Sequence, residues 1–379
     1  MIRYMKCAIL SVLFIFIIVS LGAYDGFKGD KLYSQIENRR LKKSPKITLD
    51  GVLNGDFFRE YEEYRQDQYG LKDMVVGSYI KFNLYTLGKD KVNGFYLAKD
   101  GRLFEDKDID QEVALANIRK RNEYIRKVNK DIKKMGKEFY VMYAPESSDY
   151  NMEPLPEYSK YNMKVLKKLE DEIDSVGADV DYINARRLFL DDKTGDKYYY
   201  KTDNHWNIDG AFKAYEYIVN KSRGVYPMVP KILMPYDGFM VDTYYDFYGS
   251  YNRQLQFNVD SYEEFRVYIP SRDLVTGRDS GGKPGKKIIQ KDLIDTNYSY
   301  SAFMGGDMAR DIIKTSRSNL PNILVIGNSF TNSLETLLFA NFNEMHSMDV
   351  RQENMGEVDI GNYVNRNDID IVVYVHGGI

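Results

Sequence analysis

Pro321 to Ala340 reads PNILVIGNSFTNSLETLLFA, and its two halves are different kinds of structure. After Asn322, the run Ile323, Leu324, Val325 and Ile326 is apolar and largely β-branched, the pattern of a short buried strand. Gly327-Asn328-Ser329-Phe330 breaks the run. Thr331 or Asn332 is then expected to cap a helix carrying Leu334, Leu337 and Leu338 on one face. A strand, a tight glycine turn and a helix leave the turn at the carboxyl edge of a sheet, where open α/β sheets hold their ligands. A serine at that point has an exposed hydroxyl beside the unpaired N–H groups of a helix N-terminus, which is how a nucleophile is presented. The same residues would also serve simply to turn a strand into a helix.

A second stretch bears on that choice. Lys201 to Gly210 reads KTDNHWNIDG, in a chain with three histidines (His205, His346, His376) and one tryptophan, Trp206. Tyr198 to Lys201 read as extended, and Asn207 is placed to cap a helix from Ile208 to about Asn220. In an extended segment residues i and i+2 point to the same side. Asp203 is then positioned to accept from one imidazole nitrogen of His205 and leave the other facing a nucleophile. An aspartate-oriented histidine with a distant serine is the arrangement of nucleophilic acyl transfer, recognised by roles and not by chain order. The plainer alternative is a surface histidine beside a core tryptophan.

The two stretches together resemble the SGNH-hydrolase-like proteins of the alginate O-acetyltransferase AlgX/AlgJ type, in particular their DHHW bacterial relatives. In that family the aspartate and histidine come early, as D-x-H-W, and the serine comes late, after a strand. Asp203, His205 and Trp206 match the first element and Gly327 to Phe330 the second. Weaker matches are Glu37-Asn38-Arg39, Asp67-Gln68-Tyr69-Gly70, Asp100-Gly101-Arg102-Leu103, Phe303-Met304-Gly305-Gly306-Asp307 and Asp349-Val350-Arg351, so the likeness runs from about residue 35 to 375. The chain departs from the pattern at Asn328, where Asp is common, and at Asp307, where Asn is frequent. It departs again at His376-Gly377-Gly378-Ile379, where an acidic and a basic residue are expected. The resemblance implies an α/β, SGNH-like three-layer sandwich around a central, mainly parallel sheet. It also implies a substrate contact from Arg351. Acyl transfer by Ser, His and Asp needs no metal or dissociable cofactor, and no other motif offers a third and fourth metal ligand at recognisable spacing.

Outward from these motifs, the 379 residues suffice for one large or two moderate domains besides an anchor. A net charge of −3 gives no reason to expect nucleic acid as a partner. The single cysteine, Cys7, excludes an internal disulfide, a cysteine metal cluster and thiol catalysis. Thirty-three tyrosines permit a glycan ligand without requiring one. Arg3 and Lys6 precede a charge-free run, Cys7 to Tyr24, that as a helix spans ~27 Å, about a bilayer core. Leu21-Gly22-Ala23 is a poor cleavage site, so an uncleaved anchor helix is favoured over a cleaved signal peptide, with the body outside the cytoplasm.

The expected organisation is a signal-anchor at 1–24, a linker and packing region at 25–105, and an SGNH-hydrolase-like domain at 106–379 with a β-containing insertion at about 221–320. Within it, Phe57, Phe58, Tyr61 and Tyr64 form an aromatic helical stripe read as core. Val92–Leu97 and Arg102–Phe104 read as a hairpin across Lys99-Asp100-Gly101. A helix over Asp110–Met135, a strand over Glu138–Ala144, a helix over Tyr161–Val176 and a strand over Val180–Ile183 give a βαβ rhythm. Pro145-Glu146-Ser147-Ser148 is a second strand exit that borders the site. Tyr244 to Tyr251 is the densest aromatic run, either a glycan-binding edge or a buried hairpin. Asp279–Lys287 reads as a mobile loop, and Met348–Arg351 and Ile369–Val375 as the last strands.

Two accounts of function stand. In the first, Ser329 attacks an acyl donor, His205 takes the proton and Asp203 orients the imidazole; the N–H groups of Gly306 and Ser329 form the oxyanion hole, with Asn328 and Arg351 as further contacts. The product is an O-acetylated cell-surface polysaccharide or other glycan, or a released acid. In the second, the chain keeps the sheet but binds glycan or an envelope partner without catalysis, as the departures at Asn328, Asp307 and the last residues favour.

Overall fold

The computed structural model describes residues 29–378 apart from 35, 38, 151–162, 192–196, 246, 261–262, 295, 297–298, 350 and 353–357; before residue 29 it describes Val12 and Phe16 only. Apart from those two positions, the expected anchor run lies outside the described residues. Among those residues no helix is long and apolar enough to cross a membrane.

The chain divides into two compact units, residues 1–93 with 253–258, and residues 94–252 with 259–379. The smaller unit holds helices α1 (Asp56–Gln68) and α2 (Lys72–Lys81), the latter running on as a wider turn through Thr86. Arg39 reaches both carboxylate oxygens of Asp67 at 2.8 and 2.5 Å and also pairs with Glu37, so two of the weaker motif segments are clamped together. The aromatic stripe of α1 is not core: Phe58 is 60% and Tyr61 43% exposed. Its rings instead stack along the helix, Phe57 on Tyr61 at 5.8 Å. An i, i+4 stripe brings rings together on the helix surface whether or not another element covers them.

The larger unit opens with an antiparallel hairpin of β1 (Phe95–Leu97) and β2 (Leu103–Glu105) across the Asp-Gly turn. Helix α3 (Gln111–Lys134) starts where the Asp110 carboxylate accepts the N–H groups of Glu112 and Val113. Then come β3 (Glu138–Ala144), α4 (Met163–Asp174), β4 (Asp181–Asn184) and α5 (Ile208–Val225), the last capped by the Asn207 side chain as its sequence position predicts. The region taken as an insertion supplies a two-stranded pair, β5 (Phe239–Tyr244) with β6 (Phe265–Pro270). It also supplies β7 (Gly277–Ser280), β8 (Lys283–Gly285) and β9 (Arg310–Lys314). The supposed mobile loop is the ordered hairpin β7–β8, turned through Gly281 and Gly282. The chain closes with β10 (Ile323–Gly327), α6 (Phe330–Leu338), β11 (Glu344–Asp349), α7 (Ile360–Arg366) and β12 (Ile371–Gly377).

An eight-stranded mixed sheet among the described residues runs β8-β7-β9-β11-β10-β12-β3-β4. The five strands from β11 to β4 are parallel, and β9, β7 and β8 extend them antiparallel. Thus part of the insertion is an extension of the main sheet rather than a separate β element. Alternate residues of β10 and β12 feed two cores: Ile323, Val325, Val373 and Val375 pack with α5 and α6. Leu324, Ile326, Val372 and Tyr374 pack with α3 and α7. These are the three layers, and β10 lies in the middle of the sheet with its carboxyl end free to present a turn.

Candidate active site

Strand β10 is buried throughout and delivers Ser329 two residues beyond its end. Gly327 has no room for a side chain, since a Cβ there would lie 2.5 Å from the Val375 carbonyl oxygen. Asn328 donates its amide N–H to the Gly377 carbonyl at 3.1 Å, pinning the turn to the end of β12. Neither Thr331 nor Asn332 caps α6. The helix begins at Phe330, and the Asn328 carbonyl accepts the Thr331 N–H at 2.9 Å and its hydroxyl at 3.0 Å. The helix opens one residue after the serine, leaving Ser329 itself at its mouth.

His205 approaches from the other motif. Its Nε2 lies 2.7 Å from the Ser329 hydroxyl and its Nδ1 2.6 Å from Asp203 Oδ1, across 124 residues of sequence. The backbone from Lys201 to His205 bends and is not extended. Asp203 and His205 face each other because the His205 N–H donates to Asp203 Oδ1 at 2.9 Å, a turn closed by the aspartate side chain. The second oxygen, Oδ2, accepts the Ser250 N–H at 2.6 Å. Burial alone would raise the Asp203 carboxyl, but the His205 ring and these N–H groups outweigh it and hold it below the ordinary carboxylate range. An ionised Asp203 then requires the proton on Nδ1 and leaves Nε2 as the acceptor for the serine hydroxyl.

Several residues that brace this relay carry no motif. Tyr300 stacks flat on the His205 ring, with centroids 4.0 Å apart and planes at 12°. Its hydroxyl reaches the Ser329 carbonyl at 3.3 Å and the Ser333 hydroxyl at 3.2 Å. The half-buried Glu263 accepts the N–H and hydroxyl of Thr202 at 2.9 and 2.6 Å, and the Lys201 N–H as well. Gly249 must be glycine, because a Cβ would sit 2.1 Å from the Thr202 carbonyl oxygen. Gly249 and Ser250 lie in the aromatic run considered as a glycan edge. Phe247 and Tyr251 of that run are buried and brace the Asp203 loop, Phe247 packing on Tyr200 at 4.2 Å, whereas Tyr245 and Tyr248 are exposed. The Pro145–Ser148 exit reaches the same loop, with the Ser147 hydroxyl on the Asp203 carbonyl at 2.6 Å.

The other candidates are placed differently. The Gly306 N–H donates to the Phe303 carbonyl at 3.1 Å within its own turn, so it does not stand open beside the Ser329 N–H. The Arg351 guanidinium is held by Asp349 at 2.8 Å and Asp307 at 2.5 Å. Asp307 in turn accepts the Asn332 amide of α6 at 2.8 Å. Among the described residues no group of His, Cys, Asp and Glu could hold a metal ion.

Beneath the site, α6 carries a buried carboxylate, Glu335, which lines a small cavity with Asp311, Thr331 and Ser347. Burial pushes its carboxyl up to about 7 from 4.5. Between those values the unfolded chain has lost the proton and the folded chain keeps it, so stability falls as pH rises through that window, by about 3 kcal/mol in total. Glu335→Gln is expected to remove this slope. Urea unfolding at pH 5 and pH 8 checks it; parallel pH dependence in variant and wild type would rule out the buried carboxyl as its source.

Residues 96–231 match the family described as "SGNH hydrolase-like domain, acetyltransferase AlgX". No curated protein matches. Among solved structures the chain is similar to Bacillus cereus PatB1, at 20% identity and TM-score 0.60 over 75% of this chain and 95% of that one. PatB1 with a sulfonyl adduct matches at 21% identity and TM-score 0.60, over 76% of this chain and 96% of that one. A DHHW family protein from Eubacterium siraeum matches at 19% identity and TM-score 0.57, over 76% and 91%. The resemblance read from the motifs is borne out, and the SGNH-like α/β fold is shared. The family match takes in Asp203 to Trp206 and stops before the serine.

Proposed function

We propose that this SGNH hydrolase-like chain transfers an acyl group, most simply acetyl, through Ser329, with His205 as general base and Asp203 as its orienting partner. The observation that carries the reading is the continuous relay of 2.6 and 2.7 Å from Asp203 through His205 to the Ser329 hydroxyl. In the first half, Ser329 Oγ attacks the acyl carbonyl as its proton passes to His205 Nε2. The collapsing intermediate expels the donor's oxygen or sulfur, which takes that proton. In the second half, a sugar hydroxyl or water gives its proton to Nε2 and attacks the acyl-serine, restoring the Ser329 hydroxyl. The Ser329 N–H, backed by the positive end of α6, is the donor offered to the developing oxyanion; the N–H groups of Phe330, Thr331 and Asn332 already serve Asn328 and the Ser329 carbonyl. The description of the matched family as an acetyltransferase supports acetyl as the group. A cell-surface polysaccharide is the proposed acceptor, in keeping with a body held outside the cytoplasm by the run Cys7–Tyr24.

A second reading has an observation of its own. The Gly306 N–H and the Asn328 amide, both candidates for the oxyanion or substrate, already serve Phe303 and Gly377. A chain so arranged could bind glycan without turning it over. The two readings are separated by a fluorophosphonate probe on the full-length chain. Acyl transfer predicts labelling of Ser329, lost in Ser329→Ala, together with acetyl release from p-nitrophenyl acetate that changes on adding glycan. An unlabelled serine and no acetyl release across several acyl donors would leave the binding reading. Since PatB1 has been solved with a sulfonyl adduct, a sulfonyl fluoride is the second probe.

A further inference from the structure

On the sheet face covered by α3, three side chains converge whose polar atoms have no use in the relay. His376 near the end of β12 and Tyr143 near the end of β3 are register partners on adjacent parallel strands. Their rings are 5.1 Å apart. Side-chain alternation along β12 puts His376 on the face of Val372 and Tyr374, away from α5 and α6. Arg121 lies on α3 three residues after Ile118 and four before Ile125, both buried, so helical spacing turns it toward the same face.

Tyr143 is fully buried and His376 is 5% exposed. Arg121 Nε and Nη2, the Tyr143 hydroxyl and both ring nitrogens of His376 are shut off from solvent and have no hydrogen-bond partner among the described residues. Arg121 as a whole is half-buried, but the Nε–Nη2 edge of its guanidinium is closed off; buried polar groups are almost always paired, and a charged edge closed off without a counter-charge is costly. The carboxylates nearest Tyr143 are already engaged, Asp149 and Glu146 with Lys107 at 3.1 and 2.7 Å, and Glu170 with Arg186 at 2.7 Å. Every one of the three open side chains can donate, and none carries a negative charge.

We propose that Arg121, Tyr143 and His376 form a binding site for a small monocarboxylate. Nε and Nη2 are the edge of a guanidinium that grips two carboxylate oxygens side by side, and they are the two atoms left open here. The Tyr143 hydroxyl and a ring N–H of His376 then serve the outer lone pairs of the same oxygens. Burial and the neighbouring Arg121 hold His376 neutral, so one positive charge faces the ligand and a monoanion balances it. The site stands apart from the hydrolase reading, and its test reads stability rather than turnover.

The test is thermal unfolding of the full-length chain with sodium acetate exchanged for sodium chloride at constant ionic strength. The melting temperature should rise saturably with acetate and stay flat with chloride. Arg121→Met should abolish the rise and melt higher than wild type in the absence of acetate, because the unpaired charge is gone. Tyr143→Phe, which removes one oxygen and keeps the ring, should weaken the apparent acetate affinity by roughly tenfold. That variant keeps the test open if Arg121→Met fails to fold. Equal responses to acetate and chloride, or an acetate response unchanged in either variant, would overturn the proposal. So would a crystal grown in acetate that holds only water between the three side chains.

Discussion

Ser329→Ala and His205→Ala are each expected to lower acyl transfer by on the order of 10⁴-fold, and the double variant by no more than either alone. The reason is geometric. With Ser329 Oγ 2.7 Å from His205 Nε2, neither group does its work without the other, so the two losses are one loss counted once. Asp203→Asn should approach the same figure for a more local reason. Oδ1 accepts two N–H groups of His205 and Oδ2 accepts the Ser250 N–H, so every hydrogen bond at this carboxylate arrives as a donor. An asparagine must turn its NH₂ toward one of those donors, which either flips the imidazole tautomer or frees the loop at Ser250. Unfolding of Ser329→Ala should stay within about 1 kcal/mol of wild type, since a half-buried hydroxyl with one partner is all that goes. The measurement is p-nitrophenyl acetate hydrolysis by the full-length variants beside their urea midpoints. Activity within tenfold of wild type in Ser329→Ala would end the nucleophile assignment.

What the sequence showed and what it hid divide along a physical line. Strand β10, helix α6 and the Asp203–His205 spacing depend on neighbours within a few residues, and local patterning exposes such features. The Asn207 cap was legible for the same reason, acting on N–H groups two and three positions ahead. The braces of the relay were not. Tyr300 reaches His205 across 95 residues, and Glu263 reaches Thr202 across 61, with no motif around either to mark its partner. Gly249 looks like any turn glycine until the Thr202 carbonyl is seen against it. The α1 stripe shows the converse failure: periodicity predicts which residues share a helix face but not whether anything covers that face. The bend at Lys201–His205 came from the same blindness, since an extended pair and an aspartate-closed turn give the same i, i+2 facing.

Trp206→Ala is expected to be the most destabilising single change in the site, at about 3–5 kcal/mol. The ring is fully buried and packs edge-on to Phe330 at 5.5 Å. Its N–H donates to the Phe330 carbonyl at 3.1 Å and the Ser333 hydroxyl at 3.0 Å, so the tryptophan ties the D-x-H-W segment to the first turn of α6. Truncation leaves a cavity and also strips a donor from a buried carbonyl. The loss should reach activity as well, because Phe330 packs on the His205 ring at 4.8 Å and directly follows Ser329. Trp206→Phe separates the two contributions. It keeps most of the volume and drops the indole N–H, and should cost about 1–2 kcal/mol with a smaller fall in turnover. Circular dichroism through a urea titration is the suitable readout, since the substitution removes the only tryptophan fluorophore in the chain. A Trp206→Ala midpoint indistinguishable from wild type would mean that the two motifs are held together by the braces around Thr202 and Ser250 instead, and that the indole is a passenger in the core.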